Sequence, residues 1–412
     1  MRTRFDVVII GGGPAGLTAG RVLGEAGATV LVVEKDREIG ASVRTSGGTW
    51  IRDMAGHGIP ADLYHPLRRV RLVTAGSEAT FEHREARACV LDVRRTYRYL
   101  ASRTVRVGAS VLTGTTFQAL STSRGRPSGA VLRHASGRTE HVRAEVVVDA
   151  SGYAARPSRL FGVPIGPRLY GLGLEEELEA PAYDQDEAVL ILGREFAPNG
   201  YAWAFPCGRG RVRVGVGVPL PASGPQPAEL LRRLRSESPH LREALAGARS
   251  VEVHRGIVPF SPPSDPLVWN GLVRVGDAAG QVSALAGEGI RLAMDAGTTA
   301  ARAIAGALED GGRGSARLRE YEQSWRRSQG RELRAAHRVH RRLIGQTDAD
   351  WERLGRALRP LAPQQVDRLL MSRYSAGWLI GVVLRSPRTI PVGIGLLRPR
   401  PPSPPPKRSV AA

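Results

Sequence analysis

A glycine-rich turn near the N-terminus is the first part of the chain whose spacing indicates chemistry. Gly11, Gly13 and Gly16 lie between an apolar run, residues 5–10, and a segment of small residues, and Glu34 ends the next apolar run. In this order of strand, turn, helix and strand, the first glycine makes a tight turn, the second lets the backbone approach a pyrophosphate, and the third lets the helix pack on the strand. The helix N-terminus then faces the phosphates, and the Glu34 carboxylate accepts hydrogen bonds from ribose hydroxyls. The motif predicts a dinucleotide site.

Two further features indicate which dinucleotide binds. Pro14 and Ala15 stand inside the turn and are typical of its FAD version rather than its NAD version. The run "VVVDASG" is a buried-strand pattern that places Asp149 and Gly152 at the end of the strand. A strand end of this kind is a second place where the chain can pass the nucleotide, so we expect these two residues near the cofactor.

A third passage completes the cofactor prediction. The segment "VRVGDAAG" places Gly276 and Asp277 after a strand, and "GEGIRLAMDAG" then opens a helix at Gly287, Gly289 and Ile290. The acid suits the ribityl hydroxyls of a flavin, and the helix start offers free N–H groups and a positive dipole end to a reduced isoalloxazine. The three passages in this order predict FAD. No second glycine fingerprint for NAD(P)H follows, so the electron donor stays open between NADPH, a ferredoxin and a reduced quinone.

The stretch "YAWAFP" concentrates aromatic side chains in a chain that is only 5% aromatic. If the stretch is a strand, Tyr201, Trp203 and Phe205 share one face, and Ala202 and Ala204 keep the other face flat. Two interpretations follow from the spacing alone. The rings are either a buried sheet face or a wall that contacts a substrate.

The order of these elements predicts the architecture. Strand–turn–helix patterns frame the chain, antiparallel-strand patterns interrupt them, and polar helical patterns follow. We therefore predict an α/β fold with a Rossmann-like FAD-binding domain in discontinuous segments, an inserted antiparallel-sheet substrate domain and a helical C-terminal part. The predicted boundaries are 1–66, 86–163 and 255–311 for the FAD-binding domain, 67–85 and 164–254 for the substrate domain, 312–396 for the helical region, and 397–412 for a disordered Pro/Arg tail.

Composition limits the class of protein. The 412 residues are 42% hydrophobic and carry a formal net charge of +20, with only Lys35 and Lys407 as lysines. Almost all of the basic residues are arginine, which the codon usage of a GC-rich genome explains, and the charge also suits anionic partners such as phosphates or lipid headgroups. No nucleic-acid motif accompanies it, so we expect no nucleic-acid partner. Two distant cysteines, Cys89 and Cys207, can hold neither an iron–sulfur cluster nor a structural zinc, and we expect no metal.

The ends of the chain bear on its location. No stretch reaches 18 uninterrupted apolar residues, and "FDVVII" follows the N-terminus without a secretory leader, so we expect a cytoplasmic protein. The run "SAGWLIGVVL", followed by Arg385, Arg388 and "TIPVGIGLL", suits peripheral attachment to an anionic membrane surface. A buried helix that closes the substrate domain explains the run equally well. The oligomeric state is not indicated.

The motifs resemble the geranylgeranyl reductase family, within the larger group of aromatic-hydroxylase-like flavoproteins. "YAWAFP" resembles the Tyr-x-Trp-x-Phe-Pro signature of the family, and "VRTSGG", residues 43–48, resembles the segment beside the flavin. "GIVPF" and "GEGIRLAMDAG" also fit, and the resemblance covers residues 5–308. Many members carry a cysteine where this chain has Thr45 and Ser46, and Val93 stands where relatives often have an FAD-contacting arginine. The residues that we expect at FAD are Gly11, Gly13, Pro14, Ala15, Gly16, Glu34, Lys35, Arg44, Thr45, Ser46, Gly48, Asp149, Gly152, Gly276, Asp277, Gly287, Gly289 and Ile290.

The resemblance implies a reaction. Reduced FAD saturates carbon–carbon double bonds of a polyprenyl chain, carried on a lipid, a quinone or a diphosphate, and the aromatic wall of Tyr201, Trp203 and Phe205 contacts that chain. An acid must protonate the second alkene carbon, and Tyr201, His57 and Glu288 are the candidates. The alternative is an FAD-dependent monooxygenase of the same group. A halogenase is excluded, because neither lysine is placed beside a substrate.

Overall fold

The computed structural model describes residues 3–166, 168–221, 224–261, 266–311 and 316–385. Arg388, the run "TIPVGIGLL" and the predicted tail at 397–412 lie outside these residues. The strands are β1 (Arg4–Ile10), β2 (Val30–Val33), β3 (Gly48–Trp50), β4 (Tyr64–Leu67), β5 (Arg69–Thr74), β6 (Ser77–Glu82), β7 (Ala88–Leu91), β8 (Ser110–Leu112), β9 (Thr115–Ser123), β10 (Arg126–His134), β11 (Thr139–Asp149), β12 (Tyr170–Glu179), β13 (Glu187–Leu192), β14 (Tyr201–Gly208), β15 (Arg211–Leu220), β16 (Arg249–Pro259), β17 (Val268–Trp269) and β18 (Leu272–Arg274). The helices are α1 (Pro14–Glu25), α2 (Ile51–Gly56), α3 (Val93–Arg106), α4 (Arg156–Leu160), α5 (Pro227–Glu237), α6 (Ile290–Glu309), α7 (Arg317–Arg327), α8 (Gln329–Leu343), α9 (Asp348–Leu358), α10 (Pro363–Leu370) and α11 (Ala376–Arg385).

The first sheet is parallel at its centre. Its order is β17–β18–β11–β1–β2–β8, with β10 and β9 continuing from β11 as antiparallel strands. The β1 run is apolar on both faces because helices cover the sheet, as is usual for parallel strands. Helices α1 and α6 cross closely at Gly297, where a Cβ atom would lie 2.4 Å from the carbonyl oxygen of Ala15. This close packing places the N-termini of both helices at one edge of the sheet.

The second sheet has the order β16–β12–β15–β14–β13–β5–β6 and is antiparallel except where β13 pairs with β5. Helix α5 covers one face and packs on β15 and β12, and its Leu230, Leu231 and Leu234 belong to the same buried cluster as Ala202 and Ala204 of β14. The other face carries the aromatic side chains. A smaller sheet, β3–β7–β4, is formed by chain segments on either side of β5 and β6.

The C-terminal helices complete the fold. Leu361 and Val366 pack against Leu72 and Phe81, on the β5–β6 end of the second sheet. The predicted fold class is confirmed by this combination of a Rossmann-like sheet, an inserted antiparallel sheet and a helical C-terminal part. The exact domain boundaries stay predictions. Within the described ranges, no helix is long and apolar enough to cross a membrane.

Candidate active site

A large cavity connects the two sheets with the C-terminal helices. Its volume is about 1890 Å³, and its lining extends from the glycine turn at Gly13 through the aromatic strand to Leu370 on α10. A pocket for one small ligand usually has about 300–1,000 Å³. The cavity therefore has room for a dinucleotide and a second, apolar molecule together.

The three glycines of the turn differ in the space around them, and only Gly13 has room beside it for a ligand. A Cβ atom at Gly11, where φ is +119°, would lie 2.1 Å from the carbonyl oxygen of Ala150, and one at Gly16 would lie 2.0 Å from that of Gly11. At Gly13 a Cβ atom would meet nothing within 4 Å, and this residue opens α1 without a side-chain cap. Gly11 and Gly16 thus hold the turn closed, whereas Gly13 leaves a cradle for a phosphate at the helix N-terminus. The Glu34 carboxylate accepts a hydrogen bond from Gly12 N at 2.8 Å and lines the cavity.

The flavin end of the cavity is lined by the passage after β18. Asp277 lies in a buried turn, and burial raises the pKa of its carboxyl to about 6. Arg168 donates to the carbonyl oxygens of Asp277 and Ala278, which fixes the turn. Gly289 opens the 20-residue helix α6 without a side-chain cap, and Ile290 follows it on the cavity wall. Free N–H groups and a positive dipole end therefore face the cavity here.

The segment 44–48 lies between the two sheets. Arg213 donates to the carbonyl oxygens of Ser46 and Leu91, at 2.7 Å and 3.0 Å. A Cβ atom at Gly256 would lie 2.1 Å from the carbonyl oxygen of Arg44, so the backbone at Arg44 packs directly on Gly256. These contacts hold Arg44, Thr45, Ser46 and Gly48 on the cavity wall.

Most of the residues expected at FAD line this one cavity. They are Gly13, Pro14, Ala15, Glu34, Lys35, Arg44, Thr45, Ser46, Gly48, Gly152, Gly276, Asp277, Gly287, Gly289 and Ile290. Three features fit FAD: the cradle at Gly13 suits its phosphates, the Glu34 carboxylate suits its ribose, and the uncapped N-terminus of α6 suits its isoalloxazine.

Four expected site residues do not line the cavity: Gly11 and Gly16, which hold the turn closed, Asp149 and His57. Asp149 is fully buried, and its carboxylate accepts hydrogen bonds from the backbone N–H groups of Ser151 and Ser158, so it shapes the turn and does not line the cavity. His57 does not line the cavity either, because its Nε2 atom lies 2.9 Å from the Asp295 carboxylate on α6. The structure places His57 beside Asp295 rather than on the cavity wall, and its role as a proton donor stays a prediction.

The two other acid candidates lie at the cavity but are held by partners. The Tyr201 hydroxyl donates to the carbonyl oxygen of Ala286 at 2.7 Å, and burial raises the pKa of that hydroxyl to about 12. Glu288 accepts two hydrogen bonds from Arg291, at 2.8 Å and 2.9 Å. Burial raises the pKa of Glu288, and the Arg291 charge opposes that rise.

The aromatic side chains of β14 form a continuous surface on the cavity. The ring centroids of Tyr201 and Trp203 are 5.7 Å apart, and those of Trp203 and Phe205 are 6.2 Å apart. All three rings line the cavity, whereas Ala202 and Ala204 are buried on the opposite face. The spacing that predicts one aromatic face is thus matched by the structure, and we call these three rings the aromatic wall.

Glycines on the neighbouring strands make room for the wall. Trp203 pairs across the sheet with Gly215, and a Cβ atom at Gly215 would lie 2.3 Å from Cζ2 of Trp203. Cβ atoms at Gly217 and Gly173 would lie 3.4 Å and 3.7 Å from the same ring. The indole therefore lies flat over three strands. The alternation in "VGVGV" on β15 is the sequence signal that could have revealed this glycine surface under the indole.

A buried polar row continues from Trp203 across the sheet. Glu175 on β12 is the next residue beyond Gly215, and His254 on β16 follows it. Trp203 Nε1 donates to Glu175 Oε2 at 2.9 Å, and His254 Nδ1 lies 2.8 Å from Glu175 Oε1. Glu175 and His254 are only 2% and 3% exposed, and both line the cavity.

The row reaches the surface at Glu252. His254 Nε2 lies 3.4 Å from Glu252 Oε2, and Arg94 donates to the other oxygen of Glu252 at 2.8 Å. Burial alone would lower the pKa of His254, but the hydrogen bond and charge of Glu175 raise it above its usual value. The Arg94 hydrogen bond lowers the pKa of Glu252. Sequence reasoning missed these residues, because only cross-strand pairing brings them together.

The far end of the cavity is apolar with a basic edge. Its apolar lining includes Leu72, Leu190, Leu354, Leu358, Leu361, Val366, Leu369 and Leu370. Arg338, Arg341 and Arg342 line the same cavity from α8. Among the described residues, none of the three forms an ion pair, and Nη1 of Arg342 is buried without a hydrogen-bond partner.

Comparisons with known proteins agree with this site. A model of FAD dependent oxidoreductases matches residues 6–156, and a model of the geranylgeranyl reductase catalytic domain matches residues 172–258. The protein is thus an FAD-dependent oxidoreductase. The digeranylgeranylglycerophospholipid reductase 2 of Methanothermobacter thermautotrophicus is 30% identical over 362 residues, covering 86% of this chain and 92% of the relative. The digeranylgeranylglycerophospholipid reductase of Methanosarcina mazei is 30% identical over 390 residues, covering 90% and 92%. The chain belongs to the geranylgeranyl reductase family, as its sequence motifs predict.

Solved structures show the same fold. A geranylgeranyl bacteriochlorophyll reductase-like protein from Thermoplasma acidophilum superposes with a TM-score of 0.84 at 23% identity, covering 96% of this chain and all of that one. The p-nitrophenol 4-monooxygenase of Pseudomonas putida has a TM-score of 0.65 at 16% identity, covering 90% and 96%. At these identities the two structures show the shared fold alone, and it is the relatives at 30% identity and the catalytic-domain match that favour the reductase over the monooxygenase. The predicted class, an FAD-dependent oxidoreductase of the geranylgeranyl reductase type that reduces carbon–carbon double bonds, is confirmed.

Proposed function

We propose that this protein reduces the double bonds of prenyl chains attached to an anionic lipid. The observation that supports the proposal is the single cavity, which joins the phosphate cradle at Gly13, the aromatic wall and an apolar end lined by leucines. Relatives that are 30% identical are digeranylgeranylglycerophospholipid reductases. Bound FAD, once reduced, would supply a hydride to an alkene carbon. The protein binds and orients the alkene and excludes water from the cavity.

The aromatic wall suits a prenyl chain. Burial of apolar surface is favourable by about 25 cal/mol per Å², so a long chain gains more from this cavity than a small aromatic molecule does. The flat indole of Trp203, fixed by its hydrogen bond to Glu175, presents a rigid surface to an alkene. A rigid surface limits the positions that the double bond can take, which favours the reactive geometry.

The headgroup of the substrate lies, in this proposal, beside α8. Arg338, Arg341 and Arg342 are spaced to share one side of the helix, and they have no acidic partner among the residues that the structure describes. Guanidinium groups bind phosphate oxygens in pairs of hydrogen bonds, and a buried unpaired nitrogen on Arg342 is costly without such a partner. A glycerophospholipid or a prenyl diphosphate supplies the anion, whereas a prenyl quinone does not.

The proposal is tested with purified protein and dithionite as reductant, which replaces the natural donor and leaves open whether that donor is NADPH or a ferredoxin. We expect mass spectrometry to show a gain of two hydrogens for each double bond of a digeranylgeranyl phospholipid. An unchanged lipid in the presence of reduced flavin contradicts the proposal. Arg342→Gln should raise KM for the phospholipid but not for geranylgeraniol, which is neutral. Arg331→Gln, exposed on the same helix and outside the cavity lining, is the control.

We further propose that the protein collects its substrate at an anionic membrane surface. Leu379, Ile380 and Val382 of α11 line the cavity, and Ile380 is also 56% exposed. A helix that lines the lipid cavity and also exposes an apolar side chain suits contact with an interface. We expect the protein to float with anionic liposomes at low salt and to dissociate at high salt. Absence of flotation at low salt contradicts this proposal without affecting the reductase assignment.

A further inference from the structure

The proton that accompanies each hydride needs a source, and the described acids differ in how they can provide it. The Tyr201 hydroxyl donates a hydrogen bond to the carbonyl oxygen of Ala286, Glu288 accepts two hydrogen bonds from Arg291, and His57 lies outside the cavity. Glu175 differs from these, because one of its oxygens lies 2.8 Å from a histidine nitrogen, which is itself a proton carrier. Glu175 therefore combines contact with the cavity and a means of regaining a proton.

We propose that Glu175 and His254 deliver protons to the alkene. This proposal rests on the proposed function, since it assigns the acid of that reaction. Glu175 is the catalytic residue and His254 recharges it. Glu252, whose side chain is 38% exposed, lies 3.4 Å from Nε2 of His254 and favours the imidazolium by its charge.

In the resting state Glu175 is a carboxylate beside the His254 imidazolium. The Nδ1 proton of the imidazolium moves to Glu175, the hydride forms the first C–H bond, and the π electrons of the double bond take the proton of the Glu175 carboxyl to form the second. The neutral imidazole keeps its Nε2 proton and regains a proton at Nδ1 from water that enters the cavity after the product leaves. Each cycle thus returns Glu175 and His254 to their starting state and supplies one proton for each hydride.

The charges around His254 support this role. Glu175 on β12 and Glu252 on β16 face its ring, and both favour the imidazolium, while Arg213 on β15 opposes it. Arg94 on α3 binds Glu252 and offsets part of that carboxylate's charge. The balance favours a protonated His254, so proton delivery should persist to a higher pH than an ordinary histidine allows, and it should fall as pH rises through the raised pKa.

The hydrogen bond from Trp203 to Glu175 provides a readout that does not depend on turnover. The ¹⁵N indole resonance of Trp203, assigned with Trp203→Phe in the FAD-loaded full chain, reports the charge on Glu175 and its neighbour. We expect this resonance to titrate between about pH 5 and 9, where histidines change charge. In His254→Asn the titration should disappear. A wild-type resonance that does not move over this range contradicts the proposal, whether or not the prenyl substrate is correct.

Activity provides the second test. Glu175→Gln keeps an oxygen for the Trp203 N–H but has no acidic proton. We expect it to lower prenyl reduction on the order of 10²-fold, the usual contribution of a positioned acid, with unchanged FAD content. Glu179→Gln, on the same strand and paired with Arg249 at the surface, is the control and should keep the wild-type rate. If Glu175→Gln also keeps the wild-type rate, the proposal is wrong.

Discussion

Gly215→Ala is expected to displace the centre of the aromatic wall. The new methyl group would lie 2.3 Å from Cζ2 and 2.5 Å from Cε2 of Trp203, and 2.6 Å from Cβ of Glu175. The ring cannot simply rotate away, because its Nε1 donates to Glu175 and Glu175 also binds His254. Overpacking costs about 1–3 kcal/mol, and a lost hydrogen bond to a charged group costs about 1.5–3 kcal/mol more. We therefore expect a loss of about 3 kcal/mol or more in unfolding free energy.

Gly173→Ala is the matched control for this variant. Its methyl group would lie 3.7 Å from Cη2 of Trp203, an ordinary contact, on the same face of the same sheet. Melting temperature, flavin content and prenyl reduction are measured for both variants. We expect Gly215→Ala to melt lower and to lose prenyl reduction, while Gly173→Ala melts like the wild type. Equal melting temperatures for the two variants would refute the claim that the glycines exist to seat the indole.

Three further predictions concern the cofactor and the wall. Gly13→Val should fold but bind no FAD, because its side chain enters the empty cradle, whereas Gly16→Val should not fold; flavin content and circular dichroism distinguish these outcomes. Asp277→Asn should raise the melting temperature of the FAD-free protein more at pH 8 than at pH 5, because burial raises the pKa of Asp277 from its ordinary value of 3.8 to about 6, and the cost of this carboxyl grows between those two pH values; equal effects at pH 5 and pH 8 would contradict this. Trp203→Ala should lose prenyl reduction with normal FAD content, since no described contact joins this ring to the nucleotide turn; simultaneous loss of flavin would mean that the ring is a core residue.

The nucleotide end of the site could be predicted from the sequence because its parts are close along the chain. Gly11, Gly13 and Gly16 lie within one turn, and each has the backbone role that the spacing predicts. The aromatic wall was equally accessible, since Tyr201, Trp203 and Phe205 alternate on a single strand. In both cases a local period determines which side of an element a residue occupies.

The rest of the site depends on pairing between distant segments. Glu175 and His254 become neighbours only through the register of β12 and β16, which no local pattern reveals. His57 looked like an acid candidate because of its residue type, but its partner Asp295 lies far along the chain on α6. Asp149 stands at a strand end as predicted, yet Ser158 draws its carboxylate away from the cavity. Residue type and strand position thus indicated where chemistry is possible, and cross-strand packing decided which side chains reach the cavity.

One anaerobic experiment tests the central claim that flavin and prenyl chain share this cavity. Purified protein with its FAD reduced by one equivalent of dithionite is mixed with a digeranylgeranyl phospholipid, and flavin absorbance and lipid mass are followed together. We predict that the oxidised flavin spectrum returns without oxygen and that one double bond is saturated for each flavin reoxidised. A flavin that stays reduced in the presence of the lipid, or that reoxidises while the lipid mass is unchanged, would contradict the account.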